Sequence, residues 1–144
     1  MKVYTDGSYH KKYKLASFGF IVIDENDKEI YSSNGLVLDK EICEMRNVAG
    51  EIFGVYALMQ YCAENNIKEI DIYYDYKGIE MWATTSKKAW KTNNKYTQYY
   101  RKTMLDYYDK GFKVRFHKVK SHSKDKYNDI ADELAKKAFE LVVN

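Results

Sequence analysis

Four carboxylates are placed where their neighbours make them chemically interesting. Asp6 closes an apolar run in "VYTDGS", Asp75 closes another in "EIDIYYDY", Glu51 opens a helical pattern in "RNVAGEI", and Asp132 lies early in a final one, "KYNDIADELA". A carboxylate among apolar residues is costly unless something positive sits beside it, so each acid is either a cap or a cation ligand. Caps are ordinary chemistry here. Thr5-Asp6-Gly7-Ser8 suits a turn, with Gly7 free to take a positive φ and Asp6 bonding its own backbone. Glu51 suits a helix dipole, Asp75 the start of a short helix, and Asp132 the decoration of a first turn beside Asp129 and Glu133. Taken jointly, four such accidents would have to fall at compatible ends of elements. Four acids converging without Lys or Arg partners would repel and raise one another's pKa, an arrangement that makes sense chiefly around divalent cations. Oxygen-only ligands favour Mg²⁺ or Mn²⁺ over zinc.

The elements that must position them follow from periodicity. Residues 2–5 read as a first strand, and "SFGFIVIDENDKEIYSSNGLVL" as two β-rich runs joined at Glu25-Asn26-Asp27, extending it into an antiparallel meander. From Ala49 to about Asn65, Ile52, Val55, Tyr56, Met59, Cys62 and Ala63 recur at three and four, which predicts a helix buried along one side, with Glu51 in its first turn. Ile70, Ile72 and Tyr74 alternate in a strand ending near Asp75. Short helical material in "KGIEMW" precedes a polar basic stretch. Tyr96, Tyr99, Tyr100, Met104, Tyr107 and Tyr108 then predict a helix stopped at Gly111. Phe112, Val114 and Phe116 mark a last strand. A closing helix from about Asn128 to Leu141 turns Ile130, Leu134, Ala138 and Leu141 to one face. The order βββαβ, helical material, βα implies an α/β fold with a mixed sheet and helices packed on it. If strands one and four pair in parallel, Asp6 and Asp75 project at the same sheet edge, where sites in open sheets collect.

Length and composition set the remaining bounds. With 144 residues, 45% apolar and 31% charged, the chain is expected to form a single domain, residues 1–144, and to be a monomer. No apolar leader precedes "MKVYTDGS" and no stretch approaches a membrane span of ~18 apolar residues, so the expectation is a cytoplasmic protein with no membrane partner. Cys43 and Cys62 match no metal spacing and read as reduced thiols. The net charge of +3 is uneven: Thr84 to Tyr127 holds thirteen Lys or Arg against Asp106, Asp109 and Asp125, a local +10 that leaves −7 elsewhere. Aromatics interleave with these cations in "KKAWKTNNKYTQYYRK", a mixture suited to phosphate and stacking contacts with nucleic acid, although a solvated helix with inward tyrosines has the same composition.

The ordered set of motifs resembles ribonuclease H of type 1. "TDGS" on the first strand, Glu51 at the start of the first helix, Asp75 at the end of the fourth strand, and His122 in "KSHSKDKYNDIADELA" ten residues before Asp132 carry the resemblance, which spans Lys2 to about Phe139. It implies a five-stranded mixed sheet, its first three strands antiparallel, flanked by helices. It also implies an endoribonuclease that cleaves the RNA strand of RNA·DNA hybrids with two Mg²⁺ ions, Mn²⁺ being a possible substitute, and leaves 5′-phosphate and 3′-hydroxyl ends. In that reading Asp6 bridges both ions, Asp132 helps hold the water-side ion, and Glu51 with Asp75 holds the leaving-group ion. His122 moves a proton or helps release product from a flexible loop, whereas His10 and His117 read as simple hydrogen-bonding residues.

Substrate contacts fall to Gly7, Ser8, Arg46, Asn47, Lys87, Lys88, Trp90 and Lys91. The chain departs from the family pattern before Glu51, where Val48 replaces a second polar residue and Arg46 a small hydroxyl residue. Its basic protrusion keeps Trp90-Lys91-Thr92 but is short. A binding domain of the same fold without strong catalysis is the alternative, and the complete acidic set speaks against it. A DNA strand-transfer or resolution enzyme is a third reading, disfavoured by the lack of appended DNA-targeting modules.

Overall fold

Period-two alternation in the chain builds five strands, and the computed structural model, which describes residues 1–120 and 125–143, orders them in one sheet. The strands are β1 (Lys2–His10), β2 (Leu15–Ile23), β3 (Glu29–Val37), β4 (Glu69–Tyr74) and β5 (Lys113–Lys118), in the order β3-β2-β1-β4-β5. β1, β2 and β3 pair antiparallel, and β4 joins β1 and β5 in parallel, as the sequence pattern predicts. The β2–β3 reversal is held by Asp24, whose carboxylate accepts the backbone N–H groups of Asn26 and Lys28, both at 2.9 Å.

Helix α1 (Asn47–Glu64) follows a 3₁₀ turn at Ile42–Met45 and covers one face of the sheet. Its Ile52, Val55, Leu58, Met59 and Cys62 pack on Val3, Phe20, Val22, Ile70 and Ile72 in the main core. Helix α2 (Gly78–Met81) is a single turn after β4. Helix α3 (Lys95–Asp109) starts at a capping box in which Asn94 accepts the N–H groups of Tyr96 and Thr97 at 3.0 and 2.9 Å. It ends before Gly111, whose φ of 93° is the left-handed stop expected of glycine. The run Phe20-Ile21-Val22-Ile23 is buried throughout because β2 has a helix on each face.

The last helix departs from its expected form. It divides into α4 (Lys126–Lys137) and a short α5 (Glu140–Val143), and Leu141, expected inward, is 80% exposed. The buried residues of α4 are Ala131 and Ala135, followed by Ala138 and Phe139 beyond its end. The reason lies on β2. A Cβ built on Gly19 would meet the Ala131 carbonyl oxygen at 2.5 Å and the Ala135 nitrogen at 2.6 Å, so the helix backbone rests almost directly on the strand. Only small side chains fit such a contact. Among the described residues no helix is long and apolar enough to cross a membrane, and Cys43 and Cys62 are buried free thiols.

Candidate active site

β1 is where the sheet changes from antiparallel to parallel, and Asp6 sits at that change. Strand β1 continues through Asp6 to His10, so Asp6 does not end the strand, contrary to the expectation from "VYTDGS". What ends nearby is the pairing with β4, whose last register pair is Tyr4↔Tyr73, while the pairing with β2 carries on through Asp6↔Gly19. Asp75 follows directly on β4. The two aspartates therefore stand where two parallel strands part, the topological position at which open sheets form sites.

Glu51 reaches Asp6 because α1 presses onto β1. A Cβ on Gly7 would meet the Glu51 nitrogen at 2.5 Å and the Asn47 carbonyl oxygen at 2.7 Å, so glycine at this position brings the helix start onto the strand. The Gly7 N–H then serves both acids, donating to Asp6 Oδ1 at 2.9 Å and to Glu51 Oε1 at 3.3 Å. Glu51 is the fifth residue of α1 and 2% exposed, too deep to be a dipole complement at the surface. Its other oxygen, Oε2, is buried without a hydrogen-bond partner.

Burial raises the pKa of Asp6 from its ordinary 3.8 to about 6; the charges of Asp132 and Asp75 push the same way, against the Gly7 N–H and the neighbouring Glu51. Burial likewise pushes Glu51 well above the usual carboxylate range, and the charges of Asp6 and Asp75 add to it. Burial and the neighbouring charges thus favour the protonated form of Glu51, the deeper of the two.

Asp132 is the seventh residue of α4, whose cap is Asp125, accepting the Tyr127 N–H at 3.0 Å. Asp132 is thus no first-turn decoration. It does have a cationic partner, contrary to expectation: Lys136 Nζ lies 2.9 Å from Oδ2, an i,i+4 pair that the spacing alone makes readable. Asp75 is not the cap of α2, whose N-cap is Lys77 and makes no side-chain cap bond. His122 lies outside the described residues. His117 lies on β5, with Nε2 2.8 Å from Asp71 Oδ1, a hydrogen-bonding residue as expected.

The donor set fits a hard divalent cation: carboxylate oxygens only, one of them buried without a partner, and two acids held above their normal pKa. Among the described residues no three His, Cys, Asp or Glu side chains are gathered closely enough to hold an ion as they stand. The Asp6–Glu51 pair is in place, while Asp132 keeps one oxygen on Lys136.

Arg46, at φ 58° and ψ −129°, and Asn47 are exposed at the start of α1, and Val48 packs against the main core, which explains an apolar residue there. Across a cleft of about 360 Å³, Trp90 and Lys91 line the wall opposite Met45. Trp90 is braced edge-on by Trp82, 5.9 Å between centroids, and by Tyr76 at 6.5 Å. Lys87, Lys88 and Lys91 are exposed. Not every cation of the basic segment is available. Arg101 donates to the carbonyls of Trp82 and Thr84, Lys95 pairs with Glu41 at 3.0 Å, and Arg115 pairs with Asp71 at 2.8 Å.

Comparison with known proteins bears on the family and the fold. The RNase H family model matches residues 1–140. A ribonuclease H of Pseudoalteromonas translucida is 29% identical over 144 residues, covering 96% of this chain and 88% of the relative. Two solved structures share the fold. The RNase H1 of the halophilic archaeon Halobacterium salinarum superposes with a TM-score of 0.77 at 17% identity, with 98% of each chain covered. LC11-RNase H1 in complex with an RNA/DNA hybrid does so with 0.76 at 16% identity, with 99% of each covered. With the family model matched over nearly its whole length, on a sheet of this order with acids at its switch point, the chain belongs to the ribonuclease H family.

Proposed function

We infer that the protein is an endoribonuclease that hydrolyses the RNA strand of RNA·DNA hybrids and leaves 5′-phosphate and 3′-hydroxyl ends, with Asp6, Glu51, Asp75 and Asp132 holding two Mg²⁺ or Mn²⁺ ions. The observation that carries the reading is the Asp6–Glu51 pair. Two acids share one N–H donor, one of their oxygens is buried without a partner, and no Lys or Arg forms an ion pair with either among the described residues. Such an arrangement is unfavourable in itself and is relieved by a cation. Family membership and the hybrid bound by a relative of the same fold support the substrate.

When bound, a pair of divalent ions would lower the pKa of an attacking water and stabilise charge on the leaving oxygen. The residues of the chain do the rest. The Gly7 N–H fixes one oxygen of Asp6 and one of Glu51, so both carboxylates start from a set orientation. Glu51 must lose its proton at Oε2 or Oε1 before it can ligate. Lys136 holds Asp132 by Oδ2 and must yield that oxygen or leave Oδ1 as the ligand. His122 moves a proton near the scissile phosphate. Gly7 and Ser8 on β1, with Arg46 and Asn47 at the start of α1, face the RNA strand, where 2′-hydroxyls distinguish it from DNA. Lys87, Lys88, Trp90 and Lys91 hold the duplex through phosphate and stacking contacts, without regard to sugar.

The deciding experiment is cleavage of labelled RNA·DNA hybrid, double-stranded RNA and double-stranded DNA with Mg²⁺, Mn²⁺ or chelator. Cleavage of the hybrid alone, abolished by chelator, is expected. Equal cleavage of all three, or activity in chelator, would overturn the reading.

A further inference from the structure

A row of aromatic rings crosses the sheet one step behind the acids. Tyr4 on β1, Tyr73 on β4 and His117 on β5 are direct register partners. Their rings stack nearly flat, Tyr4 on Tyr73 at 4.4 Å and 13°, and Tyr73 on His117 at 4.7 Å and 19°. Tyr127 on α4 leans on Tyr4 at 5.4 Å, and its hydroxyl donates to the Asp27 carbonyl at 3.0 Å. At the far end Asp71 locks His117 at 2.8 Å and takes the Arg115 guanidinium with both oxygens, at 2.8 and 3.1 Å. The row is thus clamped at both ends.

Tyr4 and Tyr127 lie on elements that carry an acid, β1 with Asp6 and α4 with Asp132, and Tyr73 lies on β4, which Asp75 directly follows. Tyr4 is two residues before Asp6 on β1, which places its ring one step back on the face of that acid, and Tyr73 is two residues before Asp75. Tyr127 is on α4, five residues before Asp132. Moreover, Tyr4↔Tyr73 is the last register pair between β1 and β4. Asp6 and Asp75 stand two residues beyond it, where the register pairing of β1 with β4 has ended. The stacked pair therefore braces the two strands where their pairing ends, and Tyr127 ties the helix of Asp132 to the same reference.

We propose that Tyr73 is a positioning residue, which through its stacks on Tyr4 and His117 sets the separation of Asp6, Asp75 and Asp132 for divalent-cation binding. The inference rests on the reading that these acids hold cations. It assigns no catalytic contact to the rings themselves.

The test uses the full chain with Tyr73→Ser, Tyr73→Leu and Tyr73→Phe. The control is Tyr61→Ser, which breaks an equally flat stack, Tyr31 on Tyr61 at 4.1 Å and 8°, away from the acids. Three quantities are read: Mn²⁺ affinity by calorimetry, the rise in melting temperature that Mn²⁺ produces, and hybrid affinity in chelator. Supporting groups behind metal ligands typically change metal affinity about 10- to 100-fold when removed. A loss of that size is expected for Tyr73→Ser and Tyr73→Leu, with hybrid affinity in chelator unchanged. Tyr73→Phe keeps the ring and should bind Mn²⁺ like the wild type, and Tyr61→Ser should melt lower yet bind it normally. If Tyr73→Ser does not fold, Tyr73→Leu, which keeps apolar bulk without the stack, is read instead. Wild-type Mn²⁺ affinity in the folded Ser or Leu variant overturns the proposal, as does an equal loss in Tyr61→Ser. A wild-type protein that binds no Mn²⁺ would instead remove the functional reading, and the inference with it.

Discussion

Replacing Asp6 by Asn should make the metal-free protein more stable at neutral pH while abolishing its activity. The pKa of Asp6 is raised from 3.8 to about 6, chiefly by burial. A carboxyl with a raised pKa binds its proton more tightly in the folded than in the unfolded state, so ionising it opposes folding. Below about pH 4 both states are protonated and nothing is lost. From there to about pH 6 stability declines, and above that the whole penalty is present. The difference between 3.8 and about 6 corresponds to about 3 kcal/mol. Asn keeps an oxygen for the Gly7 N–H at the position of Oδ1 and carries no charge, so a gain of about 1–3 kcal/mol at pH 8 is expected, shrinking to nothing near pH 4. Urea unfolding in chelator at pH 4, 6 and 8 measures it. With Mn²⁺ the order should reverse, because only the wild type has its central ligand and is stabilised by mass action. A variant that is less stable at pH 8 in chelator, or a gain that does not depend on pH, would refute the argument that Asp6 is a strained acid waiting for a cation.

Gly19→Ala puts a methyl group against the backbone of α4 at 2.5 and 2.6 Å and should cost about 1–3 kcal/mol while lowering cleavage, since Asp132 rides on that helix; thermal melts and hybrid assays read both effects. Neutralising Lys87, Lys88 and Lys91 together should weaken binding to hybrid and DNA duplex alike and reduce the slope of log affinity against log salt by up to about 3, measured by a salt titration. Asn47→Ala should instead reduce hybrid cleavage more than it reduces duplex binding. His122→Ala should slow turnover by about 10²–10⁴-fold without abolishing it, and single-turnover kinetics beside the Asp6 variant distinguish a proton-moving group from a ligand.

Much of this architecture is legible in the chain because strand and helix periodicities are local. Ile70, Ile72 and Tyr74 alternate and are buried, Ile52, Val55, Met59 and Cys62 recur at helical spacing and are buried, and Gly111 stops α3. The acids stand out in the sequence because a carboxylate beside apolar residues is costly, although Asp6 lies within β1, Glu51 is the fifth residue of α1 and Asp132 the seventh of α4 rather than at element ends. What periodicity cannot carry is distance between elements. That β1 runs on past Asp6 while β4 leaves it depends on pairing between residues nearly seventy positions apart. That Glu51 meets Asp6 depends on α1 settling on Gly7, and the inward alanines of α4 depend on the same closeness at Gly19. The fate of each cation was equally non-local: Arg101 turns to Trp82 and Thr84, Lys95 to Glu41 and Arg115 to Asp71, choices made by groups brought near in space rather than in sequence. The flat row of Tyr4, Tyr73 and His117 has no sequence signature at all, because strand register alone brings three unremarkable aromatic residues into one line behind the acids.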